Sequence, residues 1–217
     1  MFPFPFSFLS SGVSIPELEL IDNDFAMEFN GADEYVSAGN DSSLNITDNL
    51  SVSVWIHTSD NGLQTIVNKD QGAGTRVWNI SMGAGTISCI FRGATNGSVS
   101  SATNLADGAW HHVVATYQPS TAVKLYVDGA LLAANSTGIP ASLTSAATVP
   151  VYIGGYSNFA NEKYAGDIDE VAIWNKTLAL EDVQTIYNST NNNPGKCANL
   201  FTAGLADSLV LWNRMGD

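Results

Sequence analysis

Apolar and polar residues alternate one for one in LSVSVWIHT (50–58), TRVWNISMG (75–83), TISCIFRG (86–93), WHHVVATY (110–117), AVKLYVDG (122–129) and VPVYIGG (149–155). Alternate side chains of an extended chain leave on opposite faces, so each run reads as a strand with one face in a core. Trp55, Val113, Leu125, Val127, Ile153 and Ile173 are the expected inward members, with Lys124 and Tyr126 pointing out. Asn61-Gly62, Asn96-Gly97, Asp107-Gly108 and Asp128-Gly129 tolerate positive φ and suit hairpin turns. Six or more such strands point to an all-β, two-sheet antiparallel sandwich. One helix is expected, over TLALEDVQTIYN (177–188), with Leu178, Val183, Ile186 and Tyr187 on one face and Thr177 as N-cap.

Three zones follow. Residues 1–23 form an extended N-terminal arm, because Pro3, Pro5 and Pro16 oppose helix. Residues 24–188 are the sandwich. Residues 189–217 open on STNNNPGK and read as a polar linker and C-terminal tail. In the arm, Phe2, Phe4, Phe6 and Phe8 recur every second residue, so an extended chain presents four rings to one side. Such a row reads as an assembly element for other proteins or for copies of this chain.

Eight basic residues among twenty-one acidic ones give a net charge of −13, which excludes the positive stripe that nucleic acid requires. No apolar run reaches the ~20 residues of a membrane span. The N-terminal stretch lacks a leading Lys or Arg and makes a poor secretion signal. Cys89 and Cys197 are too few for a disulfide framework, and a single bridge between them stays open. The eight Asn-x-Ser/Thr tripeptides reflect composition rather than glycans. No nucleophile elbow, P-loop, dinucleotide fingerprint or zinc helix occurs.

FAMEFNGADEYVSAG (25–39), NLSVSVWIHT (49–58), DGAWHHVVATYQPSTAVKLYVDGALL (107–132) and YAGDIDEVAIWNKTLALEDVQTIYN (164–188) together resemble the laminin-G-like, concanavalin-A-like jelly-roll family. The resemblance implies a jelly roll of two curved sheets, with one short C-terminal helix and extended terminal arms here. Family members are mostly non-catalytic binding modules. It also implies one structural calcium ion, held by Asp169 and carbonyls near Gly31 with help from Asp33. The alternative for Asp169 is a metal-free role accepting backbone N–H bonds at a strand crossing. Related glucanases carry E-x-D-x-(x)-E, whereas Asp167-Ile168-Asp169-Glu170 begins with Asp and continues into Val171-Ala172-Ile173, which argues against a catalytic carboxylate pair. Alternation puts Asp167 and Asp169 on one face and Glu170 on the other.

Two candidate ligand sites stand out. The loop 154–166 carries Tyr156, Asn158, Phe159, Asn161 and Tyr164, flat rings and short hydrogen-bonders of the kind that bind sugars. Arg76 and Trp78 form a second candidate. Adjacent His111 and His112 must face opposite ways, which argues against a shared metal. LADSLVLWNRMGD (205–217) resembles a stretch that follows laminin-G-like domains in virion proteins of tailed phages. The expected function is therefore a virion structural protein displaying the module for particle stabilisation or glycan adhesion. The alternatives are a secreted or cell-surface carbohydrate-binding module and, more distantly, a glycoside hydrolase.

Overall fold

In the computed structural model, which describes residues 19–72, 75–156, 162–193 and 195–216, the alternating runs pair into two antiparallel sheets. In chain order the strands are β1 (Leu20–Asp22), β2 (Met27–Asn30), β3 (Val36–Gly39), β4 (Leu50–His57), β5 (Gln64–Lys69), β6 (Trp78–Gly83), β7 (Thr86–Arg92) and β8 (Asn96–Ser101). They continue with β9 (Trp110–Gln118), β10 (Ala122–Val127), β11 (Ala130–Asn135), β12 (Val151–Ile153), β13 (Ala165–Trp174), helix α1 (Leu180–Asn191), β14 (Lys196–Ala198) and β15 (Leu209–Asn213). One sheet runs β3-β12-β5-β6-β7-β8. The other runs β11-β10-β9-β4-β13-β15, with β2 also pairing β13.

The two inner faces meet in one apolar core containing Leu50, Val52, Val54 and Ile56 of β4, Val113, Ala115 and Tyr117 of β9, and Ile80, Ile87 and Phe91 of the opposing sheet. Each such burial contributes about 1.5–3 kcal/mol. Val113, Leu125, Ile153 and Ile173 lie there as expected, and Val127 packs against it half-buried. Trp55 does not. It is buried on the outer face of the seven-stranded sheet, where Val114, Tyr126, Trp174, Leu178, Val183, Ile186 and Leu205 form a second cluster under α1 and the C-terminal segment. Both faces of β4 are covered, so alternation marks the two faces without saying which is inter-sheet. Tyr126, expected outside, is buried in the same cluster.

On that outer face Trp55 stacks on His112 (ring centroids 5.0 Å apart) and on Tyr187 (5.9 Å). His112 shares a 2.8 Å hydrogen bond with the Ser53 hydroxyl. Burial pushes His112 down to about 3, so it stays neutral. The unfolded chain binds a proton at His112 below about pH 6.5 and the folded chain does not, so this residue makes stability fall as pH drops from there toward 3. Exchanging His112 for Gln is expected to flatten the stability profile by about 1.4 kcal/mol per pH unit between roughly pH 6 and 4. Urea unfolding of both proteins at several pH values measures this, and parallel profiles would show that His112 is protonated in the fold.

Asp128-Gly129 makes the expected left-handed turn, with φ of 50° and 76°. Asn96-Gly97 instead lies within β8. The β6–β7 hairpin turns at Ala84-Gly85, a pair carrying no strong sequence signal. The helix begins later than expected, at Leu180, with Asp182 accepting the Ala179 N–H at 3.0 Å.

The terminal zones depart most from expectation. Residues 20–22, read as arm, form β1 and pair with β14. Residues 196–198 and 209–213, read as linker and tail, supply β14 and β15, the latter paired along β13. Phe2, Phe4, Phe6 and Phe8 lie outside the described residues. Cys89 and Cys197 are both free and buried, one between the sheets and the other in β14. Burial pushes the Cys89 thiol up to about 12.

A bulge explains the acidic segment. Glu170 adopts φ +49°, and the β13–β4 register shifts between Asp169 and Ala172. The extra residue turns Glu170 to the outer face, contrary to simple alternation. There it accepts from Trp212 Nε1 at 2.6 Å and Arg214 Nε at 3.1 Å, pinning the last strand.

Candidate functional site

The outer face of the six-stranded sheet carries Asn79, Ser81, Ser88, Arg92, Ser98 and Ser100, and no apolar cluster covers it. Register builds a site at one end of it. Asn79 on β6 pairs with Asn68 on β5 and with Ile90 on β7, so the end of β7 lies next to the loop joining β5 to β6. That loop starts with Asp70, which is buried and accepts the Gly72 N–H at 2.8 Å. The resulting turn brings Arg76 back over the sheet, its Nε 3.6 Å from Asp70 Oδ1. The Arg92 N–H donates to the Val77 carbonyl at 2.7 Å, which fixes the second arginine beside the first.

Asp70, Arg76, Asn79, Arg92, Tyr156 and Glu162 line a cavity of about 190 Å³. Burial raises the Asp70 carboxyl above its ordinary value, while the Gly72 N–H and the Arg76 and Arg92 charges hold it back. Asn79 Nδ2 donates to the Tyr156 hydroxyl. Burial pushes the Tyr156 phenol up, so it remains a neutral hydroxyl. The Thr65 hydroxyl donates to Glu162 Oε2 at 3.4 Å. Two buried atoms, Arg92 Nε and Asn79 Oδ1, have no hydrogen-bond partner among the described residues. A buried donor or acceptor left unmatched costs about 1–3 kcal/mol, so this cavity is built to receive polar groups. Two guanidiniums supply planar, fixed donors that match a carboxylate.

Of the residues expected in the 154–166 loop, Tyr156 lines this cavity and Tyr164 does not. Tyr164 is wholly buried in the inter-sheet core, edge-on to Phe29 at 6.4 Å, so it is a packing residue. Asn158, Phe159 and Asn161 lie outside the described residues. From the second candidate, Arg76 joins Tyr156 in one site, while Trp78 faces inward and is buried in the core. Glu162, a hydrogen-bonder of the 154–166 loop, also lines the cavity, whereas Asp70, Asn79 and Arg92 carry no signal in the sequence, because isolated polar residues mean nothing until register brings them together.

The expected calcium ligands do not form a coordination shell. The Gly31 N–H donates to the Tyr164 carbonyl at 2.9 Å, and β2 pairs Asn30 with Ala165. Asp169 stands four residues further along β13, roughly 13 Å away at ~3.3 Å per residue. Its oxygens accept from Asn23 Nδ2 at 2.9 Å and from the Glu170 N–H at 2.7 Å. Asp33 is exposed and accepts from Asn30 Nδ2 at 2.8 Å. Among the described residues no three His, Cys, Asp or Glu side chains are grouped so as to hold a metal ion. These residues do not fit the ion.

The histidines are likewise committed to structure. His111 binds Asp128 at 2.8 Å and Asp107 at 3.1 Å, tying the loop before β9 to the β10–β11 turn. His57 Nδ1 is 2.9 Å from Asp167 Oδ2. The two histidines of WHHVVATY leave on opposite faces, as the alternation requires.

Solved structures share this architecture. A Bacteroides ovatus protein named as a candidate carbohydrate-binding protein superposes with a TM-score of 0.66 at 18% identity, covering 91% of this chain and 53% of its own. The CBM40 of a Ruminococcus gnavus IT-sialidase, solved with α2,3-sialyllactose, gives 0.62 at 13% identity over 76% of this chain and 97% of its own. The ligand-binding domain of botulinum neurotoxin serotype D, in complex with N-acetylneuraminic acid, gives 0.58 at 18% identity over 80% and 46%. The chain thus spans about half the length of the Bacteroides and botulinum chains. No curated protein matches the sequence. At these identities the likenesses establish the fold. The sequence itself matches the model of the concanavalin A-like lectin/glucanases superfamily over residues 30–184. That match takes in β3 to β13 and the first turn of α1, and the chain belongs to this family.

Proposed function

We propose that the chain is a non-catalytic carbohydrate-binding module whose site is the two-arginine cavity on the open face of the six-stranded sheet. The observation that carries this is the Arg76–Arg92 pair facing one small polar cavity, with Arg92 Nε buried and unmatched. The group that satisfies it is the carboxylate of an acidic sugar, held through charge-assisted hydrogen bonds, with ring hydroxyls reaching Asn79 and Glu162. Two proteins of the same fold were solved with sialic-acid ligands, which supports this choice of sugar. Non-catalytic action is supported by the state of the three clustered carboxylates. Asp167 is engaged by His57, Asp169 by Asn23, and Glu170 by Trp212 and Arg214.

Isothermal titration with 3′-sialyllactose and with lactose tests the assignment. The acidic sugar is expected to bind and lactose to leave this cavity empty. Exchanging Arg92 for Ala is expected to weaken 3′-sialyllactose roughly 30- to 150-fold, the equivalent of about 2–3 kcal/mol for hydrogen bonds to a charged group. Unchanged affinity in the Arg92 variant would remove this cavity from the reading. Display on a virion rests on the resemblance of residues 205–217. Finding the chain in purified particles by mass spectrometry supports that setting, and recovering it only as a free secreted protein favours the alternative.

A further inference from the structure

We propose that a cleft on the opposite side of the sandwich is a second carbohydrate site, one that takes an uncharged sugar ring. The cleft has a volume of about 390 Å³ and lies over the outer face of the seven-stranded sheet, between residues 23–26, the end of α1 and the start of β14. It extends the glycan-binding reading above, but it shares no residue with the two-arginine cavity.

Three aromatic rings from three separate parts of the chain converge on it: Phe25 after β1, Trp55 on β4 and Trp110 on β9. Elsewhere on this face the rings are covered by α1 and the C-terminal segment, yet Phe25 is 64% and Trp110 43% exposed. Large rings left open beside a cleft mark a binding surface. Trp110 is also held in place. Its ring lies 5.4 Å from that of His57, which is itself fixed by Asp167 at 2.9 Å and by the Gly108 carbonyl at 3.0 Å. A backed, oriented indole offers its free side to the C–H face of a pyranose.

The polar lining is unmatched in the same way as that of a ligand site. Trp55 is 6% exposed and its ring N–H has no acceptor among the described residues; Asn23 Oδ1 and the Thr190 hydroxyl are likewise buried without partners among them. Trp55 and Thr190 border a second chamber of about 10 Å³ beneath the cleft, where one water can serve them. Asn23 borders the cleft and not that chamber, so its carbonyl demand points to an occupant of the cleft. Asp169, held by Asn23 Nδ2, adds carboxylate oxygens, which only accept and therefore match sugar hydroxyls. Charge settles the class. Among the described residues lining the cleft, Asp24 and Asp169 supply two carboxylates and Lys196, which also pairs with Asp22, supplies one cation. An acidic sugar is repelled here, whereas a neutral one is not.

The test is a titration of isotope-labelled full chain with lactose, maltose, cellobiose and mannobiose, following the indole N–H signals of Trp55 and Trp110 by NMR. At least one disaccharide is expected to shift both signals saturably. Trp110→Ala, at an exposed position that leaves the core intact, is expected to weaken that binding about tenfold or more. Arg92→Ala is expected to leave it unchanged, and 3′-sialyllactose is expected to act on the arginine cavity alone. No shift with any of the four sugars, an unaltered affinity in the Trp110 variant, or loss of neutral-sugar binding in the Arg92 variant would each overturn the second site. A saturable shift with tetramethylammonium but with none of the sugars would overturn it as well, since the rings would then form a cation cage. Failure of sialyllactose to bind bears on the first site and not on this one.

Discussion

Trp174→Ala is expected to lower the unfolding free energy by about 3–5 kcal/mol, a large part of what a domain of this size possesses. Trp174 is fully buried at the centre of the outer-face cluster, among Val114, Leu178, Val183 and Leu205. Its ring N–H also donates to the Leu205 carbonyl at 2.7 Å, so truncation opens a cavity and leaves that buried acceptor unmatched. The cluster fastens α1 and the C-terminal segment to the seven-stranded sheet, and the variant should therefore lose the outer layer and the sandwich in one transition. Urea unfolding followed by far-ultraviolet dichroism and by tryptophan fluorescence gives the measurement. Two separated transitions, or a loss below about 1.5 kcal/mol, would show that the outer layer is an appendage to a self-sufficient sandwich.

Gly166→Ala is expected to be at least as damaging. Gly166 has φ +134°, and a methyl group there would sit 2.2 Å from the His57 carbonyl oxygen and 3.0 Å from Thr58 Cβ. Both contacts belong to β4 and the residue after it, so relief requires β13 to move away from its central partner. Backbone strain alone costs about 1–3 kcal/mol and the clash adds to it. Gly204→Ala is the control: φ is +72°, but nothing among the described residues lies within 4 Å of the added carbon, leaving strain as the main cost. Melting temperatures of the two variants should differ by many degrees, with the position-166 protein poorly folded or insoluble. Similar melting temperatures would mean that β13 and β4 are less tightly apposed than the structure has them.

Much of the sandwich is legible from period-two patterning, because β4, β6, β7, β9, β10 and β12 each keep one apolar face toward a single core. What patterning cannot convey is a second buried face. Ser51, Ser53, Trp55 and His57 lie on one face of β4 and Val52, Val54 and Ile56 on the other; Trp55 reads as an inward member, yet it is buried with Ser51 and Ser53 on the outer face beneath the helix. The terminal strands are hidden for a different reason. β1 and β14 are three residues each, too short for a period, and each is held by a partner remote in sequence, as Leu20 is by Ala198 and Ile21 by Cys197. The arginine cavity is half legible: Arg76 and Tyr156 stand out in separate stretches of the sequence, and only the β5–β6–β7 register adds Arg92, Asn79 and Asp70 to them.

The bulged strand β13 has a further consequence during biosynthesis. Its edge away from β4 is shared end to end by two strands, β2 against Ala165–Ile168 and β15 against Val171–Trp174. The first of these is made before β13 and the second after it. On the ribosome, at about 5–20 residues per second, the 39 positions from Trp174 to Asn213 take roughly 2–8 s to appear. For that interval the nascent chain holds Val171, Ala172, Ile173 and Trp174 with an unpaired backbone edge, the kind of edge to which a neighbouring nascent chain can add a strand. Strand β15, made after β13, therefore works as a closing guard, and slow translation between codons 174 and 213 should raise the aggregated fraction while leaving the finished fold unchanged.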